Sequence, residues 1–178
     1  VIILPSMCCD PNIGTGIVTS VPSDAPHDYM GLVDLKTTKS LWEKYGLDHG
    51  KLMEIEPIPI IKMPGYGDLP AKEVCEKLGI KSQHDEAKLE QAKKEIYKLG
   101  FHTGVMNENC GPYAGMKVTE AKDKMKQDLI DNGDAEIMYD LSEEVVCRCG
   151  SHVIIKRYDD QWFIRYSDEK LTNTAKEH

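Results

Sequence analysis

The residues best suited to chemistry lie in one run, Gly14-Thr15-Gly16-Ile17-Val18-Thr19-Ser20-Val21-Pro22-Ser23-Asp24-Ala25-Pro26-His27-Asp28-Tyr29. Gly14 and Gly16 flank Thr15 at the mouth of an expected strand, where bare backbone lets a ligand approach closely. The strand turns directly into an expected helix whose first turn holds Asp24 and Asp28. Unpaired N–H groups and the helix dipole favour ionised carboxylates there. An ionised carboxylate beside an open strand edge can hold a substrate ammonium. The same spacing also suits a purely structural use, with Asp24 as an N-cap and Asp28 as a dipole partner. The Gly-Thr-Gly triplet lacks the longer spacing of a phosphate loop.

A second cluster, Cys147-Arg148-Cys149 with His152, suggests a metal site, but it offers at most three ligands where structural zinc prefers four in wider spacing. No metal is therefore expected. Cys8 and Cys9 are adjacent and read as packing residues, and the six cysteines as a set read mostly as reduced thiols. Of the histidines, His27 alone neighbours the Asp28 run. It either contacts the ligand or faces solvent from the first helical turn. Tyr66, in Pro64-Gly65-Tyr66-Gly67-Asp68, could stack on a nucleotide or pack on its own domain. Trp42, Trp162 and Phe163 read as core.

These groups need a scaffold of strands and helices. Strands are expected at 1–4, 16–21, 135–139, 145–149, 153–158 and 161–166, with an extended run at 57–61. A helix from Pro26 presents Tyr29, Leu32 and Val33, continues through Leu41, Trp42 and Tyr45, and stops at Gly46. Further helices carry Val74, Cys75 and Leu78 to Gly79; Leu89, Ala92, Ile96 and Leu99 to Gly100; and Val118, Ala121, Met125 and Leu129 to Asn132-Gly133. A last helix is expected after Ser167. The pattern is α/β, a mixed sheet or barrel with peripheral helices.

The chain has 178 residues, 40% hydrophobic and 29% charged, as in a soluble globular protein. No run approaches the roughly 20 apolar residues of a membrane span, and Val1 to Leu4 reads as a strand rather than a signal peptide. Net charge is −8, opposite in sign to a general nucleic-acid binder. Any contact with nucleic acid must then be local. Lys72 to Lys98 and Lys117 to Asp131 mix both charges, as solvated helix faces do. The absent initiator methionine hints at a piece of a larger protein.

The string GTGIVTSVPSDAPHDY resembles the editing domain inserted in the catalytic core of class I synthetases for aliphatic amino acids. Its VTSVPSDAP form resembles the leucyl-tRNA synthetases of archaea and eukaryotes. KMPGYGDLPA, LGIKSQHDEAKLEQAKKEIYKLGFHTGVM and DQWFIRY follow in that family's order. The resemblance implies a class I synthetase editing domain, a β-barrel-like mixed sheet with peripheral helices. It implies an editing domain over 1–141 and a return segment toward the parent catalytic core over 142–178. It further implies that Asp28 binds the α-ammonium of a misattached amino acid. Thr19 would lie against the terminal adenosine of tRNA(Leu), Gly14, Thr15 and Gly16 would form the adjoining wall, and Asp24 would sit beside the pocket. The reaction would be ester hydrolysis at the tRNA 3′ end, in the cytoplasm, with no cofactor of its own.

ATP and Mg²⁺ would serve the parent, whose HIGH and KMSKS signatures do not occur here. The family's threonine-rich strand, expected upstream of Gly14, has no counterpart either. A non-catalytic insertion that docks the tRNA end or braces the parent is the alternative reading.

Overall fold

The structure, a computed structural model, describes every residue except Val1, Asn12, Arg157 and His178. The expected strands at 1–4 and 153–158 therefore each include a residue outside that set, as does the tally of six histidines. The chain forms two compact units, Val1–Glu136 and Ile137–His178. The sequence reading sets its own division at Leu141 and Ser142.

The first unit is mostly helical. Helix α1 (Pro26–Thr37) begins with proline at its first position, where the missing N–H costs nothing. It is followed by α2 (Lys39–Tyr45), which Gly46 ends in the left-handed conformation at φ 61°. Then come α3 (His49–Met53), strand β1 (Ile61–Lys62) and α4 (Pro70–Lys77). The long α5 (Glu86–Thr103) leads into strand β2 (Val105–Met106), a short 3-10 segment (Glu108–Tyr113) and α6 (Val118–Asp131). In the second unit α7 (Glu169–Glu177) is the regular helix among the described residues.

Two apolar clusters build the first unit, and α1 lies between them. One joins Met30 of α1 to Met63, Val74, Cys75, Ile80, Leu89, Ala92 and Ile96. The other joins Leu32 and Leu35 of α1 to Leu52, with Leu41 and Trp42 packed against it. Because apolar residues occupy both flanks of α1, that helix is fixed from two directions. Buried Asp34, 8% exposed, adds a polar tie by accepting from Ser82 Oγ and Gln83 N, each at 2.9 Å.

The expected helices form, with two differences. Gly100 does not end α5, which runs three residues further and stops at Gly104. A Cβ at Gly100 would stand 3.1 Å from Met63 Sδ, so this glycine serves close packing rather than termination. On α6, Ala121 is buried but Leu129 is 41% exposed, so the apolar stripe outruns the core.

The sheet is far smaller than the sequence suggests. β1 and β2 pair antiparallel, Ile61 opposite Met106 and Lys62 opposite Val105. Among the described residues, 2–4, 16–21, 135–139 and 161–166 join no ladder. Residues 145–153 meet only as a tight hairpin, through a bridge between Val146 and His152 and the Val153 N–H on the Val145 carbonyl at 2.8 Å. Alternation encodes which face a strand buries, not who pairs with it, and a run without a neighbour stays extended and bare. Ile17, Val18 and Ile154 are accordingly exposed. Trp162 and Phe163, expected in the core, are 90% and 87% exposed. The fold is mixed α/β, with helices around a small sheet.

Leu89→Ala, at a fully buried position, is expected to lower unfolding free energy by about 2–5 kcal/mol. Leu129→Ala should cost under about 1 kcal/mol. Urea denaturation measures both, and equal costs would contradict this placement of the core.

Candidate functional site

The Gly-Thr-Gly run is a compact turn. Gly14 and Gly16 take φ 58° and 71°, the left-handed region where glycine alone is free of strain. Gly16 donates its N–H to the Ile13 carbonyl at 3.0 Å. A Cβ there would stand 3.3 Å from the Pro11 backbone. The Thr15 hydroxyl accepts from Ile17 N and donates to Ile17 O, both at 3.2 Å, which braces the exit from the turn. Residues 17–20, including Thr19, follow without regular secondary structure and are exposed.

Val21 closes that run onto α1. Its N–H donates to Asp28 Oδ2 at 2.7 Å, while its carbonyl accepts from Asp24 N at 3.1 Å and Ala25 N at 2.9 Å. Asp28 sits half-buried in the first turn of α1. One carboxylate oxygen is thus engaged by backbone, in the geometry of a held anion.

Asp24 differs in kind. It is 7% exposed, and the neighbouring Ser23 is fully buried. Asp24 Oδ2 accepts from Ser23 Oγ at 2.5 Å, and the Ser23 carbonyl accepts from Ala71 N at 2.9 Å, at the start of α4. Oδ1 is buried and meets no donor at ordinary hydrogen-bond geometry. Burial pushes the Asp24 carboxyl above its ordinary value, against the lowering effect of Ser23 and of the backbone amides of Ile60 and Ile61.

Helix α5 supplies neighbours that the sequence did not single out. His27 Nε2 lies 3.5 Å from Glu90 Oε1. Seven residues along the same flank, the half-exposed Tyr97 has a hydroxyl pushed up by burial and then by Asp28 and Asp24. Lys93, between them, pairs with Glu90 Oε1 at 3.3 Å, and the Cys8 thiol is raised by partial burial and by Asp28. Cys8 and Tyr97 thus lie within electrostatic reach of Asp28, and Glu90 lies beside its neighbour His27. The i, i+3, i+7 spacing of Glu90, Lys93 and Tyr97 marks one helix flank. Nothing local in the sequence says that it faces residue 28.

The other candidates lie elsewhere. Tyr66 packs on its own unit, donating to Glu95 Oε1 at 2.5 Å, with its hydroxyl pushed up to about 12 by burial and that carboxylate. Cys147 and Cys149 form a disulfide rather than two free thiols. The tight turn closed by Gly150 brings their Cα atoms to 5.4 Å, well within bridging reach. His152 Nδ1 pairs with Glu144 Oε1 at 3.1 Å. Among the described residues no group of three His, Cys, Asp or Glu is placed to hold a metal ion, and no helix is long and apolar enough to cross a membrane.

No protein-family model matches the chain. Individual proteins do. The leucine–tRNA ligase of Methanocaldococcus jannaschii is 55% identical over 174 residues, 97% of this chain and 17% of that protein. Those of Methanococcus maripaludis and Pyrococcus horikoshii are 49% and 45% identical over 98% and 99% of this chain. Among solved structures, GlLeuRS-CP1 is similar at 39% identity and TM-score 0.67, over 78% of this chain and 53% of that one. The editing domain of Plasmodium falciparum cytosolic leucyl-tRNA synthetase is similar at 34% identity and TM-score 0.65, over 74% and 40%.

The class these matches define is the aminoacyl-tRNA synthetases. Within it, the chain belongs to the leucine–tRNA ligase family and corresponds to part of that family's editing, or CP1, domain. It spans 17% of the length of the M. jannaschii relative.

The raised Asp24 carboxyl has a consequence for stability. Its protonated form contributes stability at low pH that is lost as pH climbs from the ordinary value of 3.8 through the higher folded value. Wild type should therefore lose ground to Asp24→Asn in denaturation series run from about pH 3 to about pH 7. A difference that stays flat or reverses would show that burial does not dominate this carboxyl.

Proposed function

We propose that the chain carries the editing site of a leucine–tRNA ligase, hydrolysing the ester that joins a non-cognate amino acid to the 3′ end of tRNA(Leu). One observation supports this above others. Asp28 holds one carboxylate oxygen on the Val21 N–H at 2.7 Å, directly beside the exposed run 17–20. Its second oxygen is then available to a substrate ammonium. The backbone around Thr19, with Gly14, Thr15 and Gly16, would receive the terminal adenosine, and His27 would stand at the rim.

In this reading no covalent nucleophile takes part. Water attacks the ester carbonyl, the acyl–oxygen bond breaks, and the ribose hydroxyl leaves with a proton. Asp28 keeps the amino acid cationic and oriented, and orientation of this kind removes much of the barrier. Leucine activation, with ATP and Mg²⁺, belongs to the parent's catalytic core, toward which 142–178 would return, while 1–141 would form the editing domain. The run at 16–21 would be a strand of the domain's barrel-like sheet.

Asp28→Ala is expected to slow deacylation of isoleucyl- or norvalyl-tRNA(Leu) by about a hundredfold or more. The assay is best run on this chain and on a full-length leucine–tRNA ligase carrying it. Near-wild-type hydrolysis by the variant would overturn the assignment. Tight tRNA binding with only spontaneous hydrolysis in both proteins would favour a docking insertion, a reading that the net charge of −8 leaves a local role.

A further inference from the structure

We infer that Asp24 is a positioning residue of this site, holding Asp28 in place through Val21 without touching the substrate. The inference rests on the editing reading above. Its structural basis is a chain of contacts with no slack. Ser23 and Asp24 are the most deeply buried polar side chains beside the site. The Ser23 carbonyl is tied to Ala71 at the start of α4, and Ser23 Oγ donates to Asp24 Oδ2 at 2.5 Å. The Ser23–Asp24 pair is thereby held against α4, with Asp24 Oδ1 buried toward the backbone of Ile60 and of Ile61, the first residue of β1.

From that anchor the backbone reaches outward. The Asp24 N–H falls on the Val21 carbonyl at 3.1 Å, and the Val21 N–H falls on Asp28 Oδ2 at 2.7 Å. Any shift of Asp24 moves Val21, and with it the donor that orients the Asp28 carboxylate. Asp28 sits on α1 and Asp24 in the turn before it, so the helix alone does not set their relation. A buried carboxylate is costly to keep unless it holds something in place. Here that something is the turn between the exposed run and α1.

Three variants test this. Asp24→Ala removes the anchor. Asp24→Asn keeps its shape, with its side-chain NH2 donating to Ser23 Oγ and its oxygen turned toward the backbone of Ile60 and Ile61. Ser23→Ala removes one donor only. Asp24 does not touch the substrate in this reading, so its loss is felt through a misplaced Asp28 in the chemical step. Asp24→Ala is expected to lower kcat for deacylation by about a hundredfold with KM within about threefold, and Asp24→Asn should restore kcat to within about threefold.

Independently of activity, the Val21 amide proton resonance should move upfield in Asp24→Ala and stay in Asp24→Asn, with the amides of α6 unmoved. Should Asp24→Ala unfold, Ser23→Ala carries the test, with a smaller shift in the same direction. An unshifted Val21 overturns the inference. So does a KM rise at constant kcat, which signals direct contact, or an Asp24→Asn as slow as alanine, which signals use of the charge itself. If neither the wild-type chain nor the full-length ligase carrying it hydrolyses mischarged tRNA, the editing reading fails, and the Val21 shift still decides whether the anchor exists.

Discussion

Val21 is gripped on both sides of its backbone, its N–H on the Asp28 carboxylate at 2.7 Å and its carbonyl under the amides of Asp24 and Ala25. Hydrogen bonds to an ionised group contribute about 1.5–3 kcal/mol, against about 1 for neutral ones, so the Asp28 contact is the stronger of the set. It joins two parts with different needs. On one side the run 17–20 is exposed and unpaired, open to a ligand. On the other, α1 is locked between two apolar clusters. Without the Val21 link the exposed run has no reference to the rigid part, and a carboxylate alone on α1 would face an undefined neighbour.

The burial of Ser23 and Asp24 explains how this link holds. A turn between a strand and a helix is ordinarily a soft point. Here its interior is polar and closed, with Ser23 tied to α4 and the Asp24 carboxylate facing the backbone beside β1. The penalty of desolvating Asp24 is visible as its raised carboxyl. Contact with Ser23 and the peptide amides offsets part of it. Helix α5 adds to the surroundings, bringing Glu90 to His27 and the Tyr97 hydroxyl within electrostatic reach of Asp28.

Much of the helical frame was legible from single residues. Pro26 marked the start of α1, Gly46 its continuation's end, and Gly79 the close of α4, each through a local conformational rule. Asp28 was legible as an anion at a helix start. What local rules do not encode is partnership. Gly100 looked like a terminator, yet its lack of Cβ is used by Met63 from another segment. The alternating runs around Ile17 and Trp162 specify strand character but no neighbour, so the expected sheet reduces to two short strands. The flank of α5 that meets the site reads as a solvated face, because charge at i, i+4 spacing looks the same whether it meets water or a carboxylate. The Cys147–Cys149 bridge likewise depends on how tightly Gly150 turns the chain.

In the proposed editing function, a ligand carrying an ammonium and an adenosine is received at the Val21–Asp28 turn. Titration of a non-hydrolysable amide analogue of a 3′-aminoacylated adenosine into isotope-labelled chain, followed by amide chemical shifts, addresses it directly. Saturable shifts centred on Thr19, Val21, His27, Asp28 and Tyr97, abolished by Asp28→Ala, are expected. Shifts confined to the opposite flank of α5, around Tyr66, Lys98 and His102, or binding that Asp28→Ala leaves unchanged, would contradict it.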